Sequence, residues 1–331
     1  MESLGTVRRG VFIRTDRLGE TLLNLPAIAV LGAALPNAEL TVVVHPALQD
    51  LVASAPGVDR VLPHDGDDTR WWARAIKLAK ALRAHQFDLA IVSNPKKELH
   101  LAVWLAGIPR RVGYGRKWGR WLLTDRVDDR KALGERHEVE YNLDLIRALG
   151  LPTTIPQWRL PRFDREQAEV FQLLQRQGIK PSDSLIAIHP WTSNPLKQWP
   201  AGRFQTLIRR CVERLAVQVV VIGGPEEAGR SNEVLLAHVP VGDLTGKLTL
   251  RQLAALLQMT RLLVSNDSGP VHLASAVGAK TVVLFGTPDP ATGPGRWGPY
   301  GEGHWVIWKP AMEEIDVEDV FTLIQQALRD V

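Results

Sequence analysis

The chain has 331 residues, 45% hydrophobic and 23% charged, with 40 Lys and Arg against 36 Asp and Glu. That length favours two domains, and that composition excludes a disordered, collagenous or coiled-coil chain. A single cysteine, Cys211, excludes an internal disulfide and a cysteine-based zinc site, so a reducing compartment is expected.

In chain order, residues 10–15 form a short β-branched strand and 19–35 an apolar helical stretch. The apolar run 22–35 is interrupted by Asn24 and Pro26 and is too short to span a bilayer; no signal peptide is visible ahead of the first strand. Further strands are expected at 40–44, 58–62 and 89–92, with helices over 70–85 and 135–149. The segment 151–162 holds Pro152, Pro156 and Pro161 without periodicity and reads as a linker. Beyond it, strands at 185–189, 218–222, 261–264, 281–285 and 305–308 alternate with helices at 202–215, 226–237, 249–258, 270–277 and 315–328. Such alternation implies two α/β units, each a parallel sheet covered on both faces, with ligands expected at the carboxyl ends of the strands.

Three stretches can carry chemistry. In VSNDSGPVHLASAVGAKTVVLFGTPDP, residues 264–290, a strand ends in a polar turn and a helix opens near Pro270. Asp267, Ser268 and Gly269 either cap that helix or present its free N–H groups to a phosphate, and spacing leaves both open. His272, just inside the helix, reads first as a packed histidine. In IHPWTSNPLKQWP, residues 188–200, the hydroxyls of Thr192 and Ser193 and the cation of Lys197 follow a strand. They suit a diphosphate, although a solvated loop lysine is the commoner outcome. In IRTDRLGETLLNLP, residues 13–26, Glu20 opens the first helix. There it complements the helix dipole or acts as a general base, and the residues alone favour the first.

The stretch VIGGPEE, residues 221–227, is not a Gly-x-Gly-x-x-Gly fingerprint, and Glu226 or Glu227 either meets a ribose or merely opens a helix. Asp65-Gly66-Asp67-Asp68 resembles a metal motif but reads as a turn, the histidines show no paired ligand spacing, and no metal or cofactor is expected. The basic excess is sharpest over 96–120, with Lys96, Lys97, Arg110, Arg111, Arg116, Lys117 and Arg120 against Glu98, interleaved with Trp104 and Trp118. That run is either a solvated face or a site for an anionic partner.

Together RTDRLGETLLNLPAI, KQWP and NDSGPVHLASAVGAKTVVLFGTPDP resemble the bacterial heptosyltransferases of glycosyltransferase family 9, over nearly the whole chain. The resemblance implies a GT-B fold, two Rossmann-like domains facing across a cleft: an acceptor domain over 1–155, a nucleotide-sugar domain over 156–312, and a C-terminal helix within 313–331 packing back on the first. It implies inverting, metal-independent transfer of heptose from ADP-L-glycero-D-manno-heptose to a lipopolysaccharide inner core, a lipid A–Kdo acceptor. The enzyme would be a cytoplasmic monomer, peripheral to the inner membrane of a Gram-negative-type bacterium, with no nucleic-acid partner. Position by position, Glu20 stands where the family usually has a catalytic Asp. Lys197, Thr192 and Ser193 would hold the diphosphate; Asp267, Ser268 and Gly269 the diphosphate and sugar; Glu226 the ribose; and Leu248 the adenine. His272 matches a family histidine that would orient the loop. Lys96, Lys97, Arg116, Lys117 and Arg120 would meet the anionic acceptor. Glu20 lengthens the base by one methylene, and Asn194-Pro195 departs from the family in the phosphate loop. The alternatives are a transferase or epimerase acting on another nucleotide sugar, and a catalytically weak binding homologue. A nicotinamide dehydrogenase is disfavoured, because neither half has the dinucleotide fingerprint after its first strand.

Overall fold

A computed structural model of the chain describes residues 4–66, 70–115, 117–180 and 184–329, with only the backbone of Lys117 and Trp118. Arg116, Asp67 and Asp68, named above, lie outside the described residues. The chain divides into two compact units, Met1–Leu160 and Pro161–Val331, so the division falls inside the proline-rich linker.

The first unit contains β1 (Arg9–Ile13), α1 (Leu18–Leu22), α2 (Leu25–Ala34), β2 (Glu39–Val44), α3 (Gln49–Val52), β3 (Arg60–Pro63), α4 (Trp71–Arg83), β4 (Leu89–Val92), α5 (Lys97–Leu105), β5 (Arg110–Tyr114), β6 (Asp125–Val127) and α6 (Glu138–Arg147). Its strands pair in parallel in the order β3-β2-β1-β4-β5-β6. The second unit contains α7 (Asp164–Arg176), β7 (Leu185–His189), α8 (Ala201–Arg214), β8 (Gln218–Val221), β9 (Gly242–Asp243), α9 (Leu250–Met259), β10 (Leu262–Asn266), α10 (Gly269–Val277), β11 (Thr281–Gly286), α11 (Pro294–Trp297), β12 (His304–Lys309) and α12 (Val317–Arg329). Its parallel sheet has the order β12-β11-β10-β7-β8-β9, the same winding. In such doubly wound sheets the strand order reverses beside the first strand, leaving a crevice at the carboxyl ends. The two crevices fall between β1 and β4, and between β7 and β10.

The central strands β4 and β7 are buried along their whole length, as strands covered on both faces must be. Three expectations change. The helix expected over 19–35 is two helices, because Pro26 has no N–H to give the Leu22 carbonyl; the chain breaks at Leu23 and Asn24, whose Nδ2 donates to the Glu20 carbonyl at 2.7 Å. The helix expected over 226–237 is replaced by short 3₁₀ turns, Pro225–Glu227 and Ser231–Glu233; Gly229 between them is left-handed at φ 84°, which a helix does not admit. The basic run 96–120 is folded into α5, β5 and a 3₁₀ turn, Lys117–Leu122, and is no continuous solvated patch. Arg110 pairs with Asp125 across the strands, and the Arg111 guanidinium donates to the carbonyls of Leu122, Ile108 and Pro109.

The apolar face of α12, Val320, Phe321, Ile324 and Ala327, lies in the second unit's core with Phe204, Leu207 and Cys211 of α8. Arg210 pairs with Glu318, and Arg261 donates to the Leu328 carbonyl. Helix α12 is an integral layer of the second unit.

Candidate functional site

In the second unit, three side chains at the β7–β10 crevice interlock. His189, the last residue of β7, is opposite Ser265 of β10. Its Nδ1 lies 3.3 Å from Ser265 Oγ and 3.1 Å from Ser268 Oγ, and the two hydroxyls are 2.9 Å apart. Burial lowers the His189 pKa to about 4, so the ring is neutral. Ser268 occupies the N-cap position of α10, yet its hydroxyl is drawn back to His189 and caps nothing. The N–H groups of Ser268 and Gly269 consequently have no acceptor among the described residues. Free N–H groups at a helix start, with the dipole's positive end behind them, make an anion site.

Lys197 stands beside that helix start. Its Nζ is 2.5 Å from Asp267 Oδ2, and Thr192 Oγ1 donates to the Asp267 carbonyl at 3.4 Å. The KQWP stretch gains its meaning from Trp199 rather than from Lys197 alone. Trp199 is wholly buried edge-on to Phe204; its N–H donates to Asn266 Oδ1 and its Nε1 to the Ile315 carbonyl. Asn266 in turn donates to the Pro190 carbonyl at 2.8 Å, which ties both ends of the 190–199 loop to β10. Truncating Trp199 would forfeit about 3–5 kcal/mol of packing and release the loop that carries Lys197. Within that loop Ser193 is exposed, and Asn194 caps the 3₁₀ turn Pro195–Lys197 by accepting from Leu196 N–H. Asn194-Pro195 therefore shapes the loop locally.

The remaining second-unit residues are more loosely placed. Glu226 is exposed on the turn after β8, where its neighbour Glu227 closes the turn by accepting the Gly224 N–H at 2.6 Å. Leu248 is half-buried after β9. His272 is buried in the first turn of α10, four residues beyond Ser268.

In the first unit, Glu20 is half-buried on α1 and its carboxylate makes no ion pair or hydrogen bond among the described residues. A second carboxylate, which the sequence reading passed over, lies at the same crevice. Asp16 is held by Arg14 Nε at 3.2 Å, Lys96 Nζ at 2.6 Å and Asn94 Nδ2 at 3.1 Å. Burial opposes its ionisation, but Arg14, Lys96 and Asn94 together outweigh burial and hold it below its ordinary pKa. Beneath α1 runs a buried polar chain. Ser93 donates to Asn24 Oδ1 at 2.5 Å, Asn142 donates to the Leu23 carbonyl, and Lys131 reaches both Asn142 and Glu138. These contacts fix the turn on which Glu20 sits. The sequence signal for them was the SNPKK stretch ending β4, which is the crevice partner of the stretch ending β1.

Of the expected acceptor contacts, Lys96 is engaged by Asp16, Lys97 Nζ lies 4.1 Å from the Trp71 ring centroid and Arg120 stacks over Trp121 at 5.3 Å. Arg116 and the Lys117 side chain lie outside the described residues. Among the described residues no cluster of three or more His, Cys, Asp or Glu could hold a metal, and no helix is long and apolar enough to cross a membrane.

The profile of a family described as "Glycosyltransferase family 9 (heptosyltransferase)" matches residues 75–324. The chain is 26% identical over 286 residues to lipopolysaccharide heptosyltransferase 2 of Escherichia coli, covering 82% of this chain and 81% of that one. It is 25% identical over 320 residues to lipopolysaccharide heptosyltransferase 3 of the same organism, covering 90% and 89%. A solved glycosyl transferase family 9 structure from Veillonella parvula superposes with a TM-score of 0.87 at 24% identity, over 98% of each chain. The Escherichia coli ADP-heptose lipopolysaccharide heptosyltransferase II structure superposes with a TM-score of 0.81 at 23% identity, over 98% and 99%. These likenesses give the fold class, GT-B.

Proposed function

We propose, from the premise that the chain belongs to glycosyltransferase family 9 and is a glycosyltransferase, that it transfers a heptose from ADP-L-glycero-D-manno-heptose to a lipopolysaccharide inner-core acceptor. The observation that carries the donor half is the open N-terminus of α10 beside Lys197: two unclaimed N–H groups and one ammonium at a switch point suit a diphosphate. Names of the relatives supply the sugar and acceptor classes.

In this reading the acceptor hydroxyl oxygen attacks the anomeric carbon as the bond to the diphosphate breaks, inverting the centre in one displacement. Glu20 takes the hydroxyl proton. Its free carboxylate suits a base, whereas Asp16, engaged by two cations and an amide, is a poor one. Lys197 and the Ser268 and Gly269 N–H groups offset the charge growing on departing ADP, with Thr192 and Ser193 alongside. Asp267 orients Lys197 and meets the sugar. Glu226 receives the ribose, Leu248 packs on the adenine and His272 steadies α10. Lys96, Lys97, Arg116, Lys117 and Arg120 serve the anionic acceptor, a lipid A–Kdo core at the cytoplasmic face of an inner membrane, and the enzyme works as a monomer without metal.

The test is ADP release from ADP-heptose with a delipidated core acceptor. Release that depends on the acceptor supports the reading. Acceptor-dependent release of UDP or GDP from the corresponding nucleotide sugars, with none from ADP-heptose, replaces the donor. Donor binding without transfer to any core acceptor leaves a binding protein.

A further inference from the structure

Helices α4 and α5 lie side by side on one face of the first sheet, sharing a core of Ala75, Leu78, Ala79 and Leu82 with Leu99, Ala102 and Val103. The 3₁₀ turn Lys117–Leu122 packs against α5. The outer side of this layer is unlike an ordinary solvated surface. Residues 70–121 hold 12 Lys and Arg against two acids, and five of the chain's 11 tryptophans. Asp88 accepts the backbone N–H groups of Arg8 and Arg9, and Glu98 pairs with Arg74. Acids outside the segment pair with Lys77, Lys96 and Arg110, and Arg111 is spent on carbonyls, whereas Lys80, Arg83, Lys97 and Arg120 pair with no acid among the described residues.

The aromatic and cationic groups are also interleaved. Trp72, Trp104 and Trp121 are 45%, 49% and 70% exposed, and Ile76 is 40% exposed one turn from Trp72. Trp72, Ile76, Lys80 and Arg83 follow one another at helical spacing down the outer stripe of α4. Arg70 lies over Trp72, Lys97 over Trp71, and Arg120 and Arg126 over Trp121. Exposing three indoles to water costs hydrophobic stability that nothing in the unit recovers. Indoles flanked by Lys and Arg belong at the boundary between water and hydrocarbon, where the ring is half-immersed and the cation meets a headgroup phosphate.

We propose that this face, centred on Trp72, Trp104, Trp121, Lys80 and Arg83, seats the first unit on an anionic phospholipid bilayer. Charge complementarity selects the anionic surface, and the indoles with Ile76 supply the apolar insertion. A nucleic acid fits less well, because the faces of Trp72 and Trp121 that would stack on bases carry the chain's own guanidinium groups. The proposal deepens the acceptor reading above, since a lipid-linked acceptor presents itself at such a surface, and it rests on that reading for its purpose.

The test uses the full chain with vesicles of phosphatidylcholine, with and without phosphatidylglycerol, the bound fraction being read by sedimentation. Partition is expected only with phosphatidylglycerol, with a blue shift of tryptophan emission, and it declines as salt rises. Lys80→Glu and Arg83→Glu are each expected to weaken it about fivefold or more, and Trp72→Ser with Trp104→Ser to abolish the blue shift. These positions are solvent-facing, so an unchanged melting temperature verifies folding, and transfer to the delipidated acceptor stays at the parent rate. Equal partition without phosphatidylglycerol, no partition at all, insensitivity to the four substitutions, or displacement by a duplex oligonucleotide overturns the proposal. Absent transfer with intact vesicle binding overturns the functional reading and leaves the docking face standing.

Discussion

The Lys197 ammonium lies 2.5 Å from the Asp267 carboxylate, which joins the loop after β7 to the turn after β10. The pair is partly buried, with Lys197 29% and Asp267 8% exposed, so it positions a cation without cancelling its reach into solvent. Lys197→Met is expected to leave the fold intact and to lower turnover by roughly 10²–10³-fold, the usual cost of one preorganised charge-stabilising group. Asp267→Asn should retain the cation but loosen it, weakening ADP binding by calorimetry less than Lys197→Met slows turnover. Turnover by Lys197→Met within about threefold of the parent sinks the leaving-group assignment.

Glu20 and Asp16 are four residues apart at one crevice but differ in their company. Asp16→Asn removes a partner from Arg14 and Lys96 at once, and a folding defect is expected, read as a lowered melting temperature. Glu20→Gln removes no partner from anything and should preserve stability while lowering kcat by about 10²-fold or more with KM for donor unchanged. Should Glu20→Gln turn over at the parent rate, the base is elsewhere.

What the residues disclose in order of sequence is what the fold builds locally. The runs at 89–92 and 185–188 announce strands because both faces of each are covered, so no polar position interrupts them before His189. Strands β5 and β6 do not announce themselves. Their charges are paired across the edge of the sheet, Arg110 with Asp125, a partnership that exists only once the sheet is formed. The same reason hides His189: its two serines are 76 and 79 residues away along the chain. The stretches bearing Glu20, Lys197 and Asp267–Gly269 were legible as motifs. Their supports, Asn24, Ser93, Asn266 and Trp199, belong to tertiary contacts and were not.

Gly286 ends β11 within the LFGTPDP stretch, and its contribution is steric. A Cβ there would run into the backbone nitrogen and side chain of Met312, which lies buried in the second unit's core. Gly286→Ala is expected to cost about 1–3 kcal/mol of stability as overpacking. Denaturant titration should show the loss, while ADP affinity of the folded protein stays at the parent value. Selective loss of ADP binding at unchanged stability would contradict a packing role.

Two buried histidines set the acid limit of the fold. His189 and His100 are each held near pKa 4 by burial, against 6.5 for a free imidazole. His100 is enclosed between Gly113 and Gly119, where any added Cβ would crowd its ring, and its Nε2 has no hydrogen-bond partner among the described residues. Between pH 6.5 and 4 the unfolded chain therefore binds protons that the folded chain refuses. Stability is complete above the upper value and is lost as pH falls toward the lower one, by about 3 kcal/mol for each ring. The denaturation free energy measured across that interval should accordingly rise with pH at a slope approaching two protons. His100→Gln, which cannot titrate, is expected to remove about half of that slope while leaving the His189–Ser268 contact and donor binding in place. A slope unchanged by His100→Gln would mean that His100 takes up its proton in the folded protein as readily as in the unfolded chain.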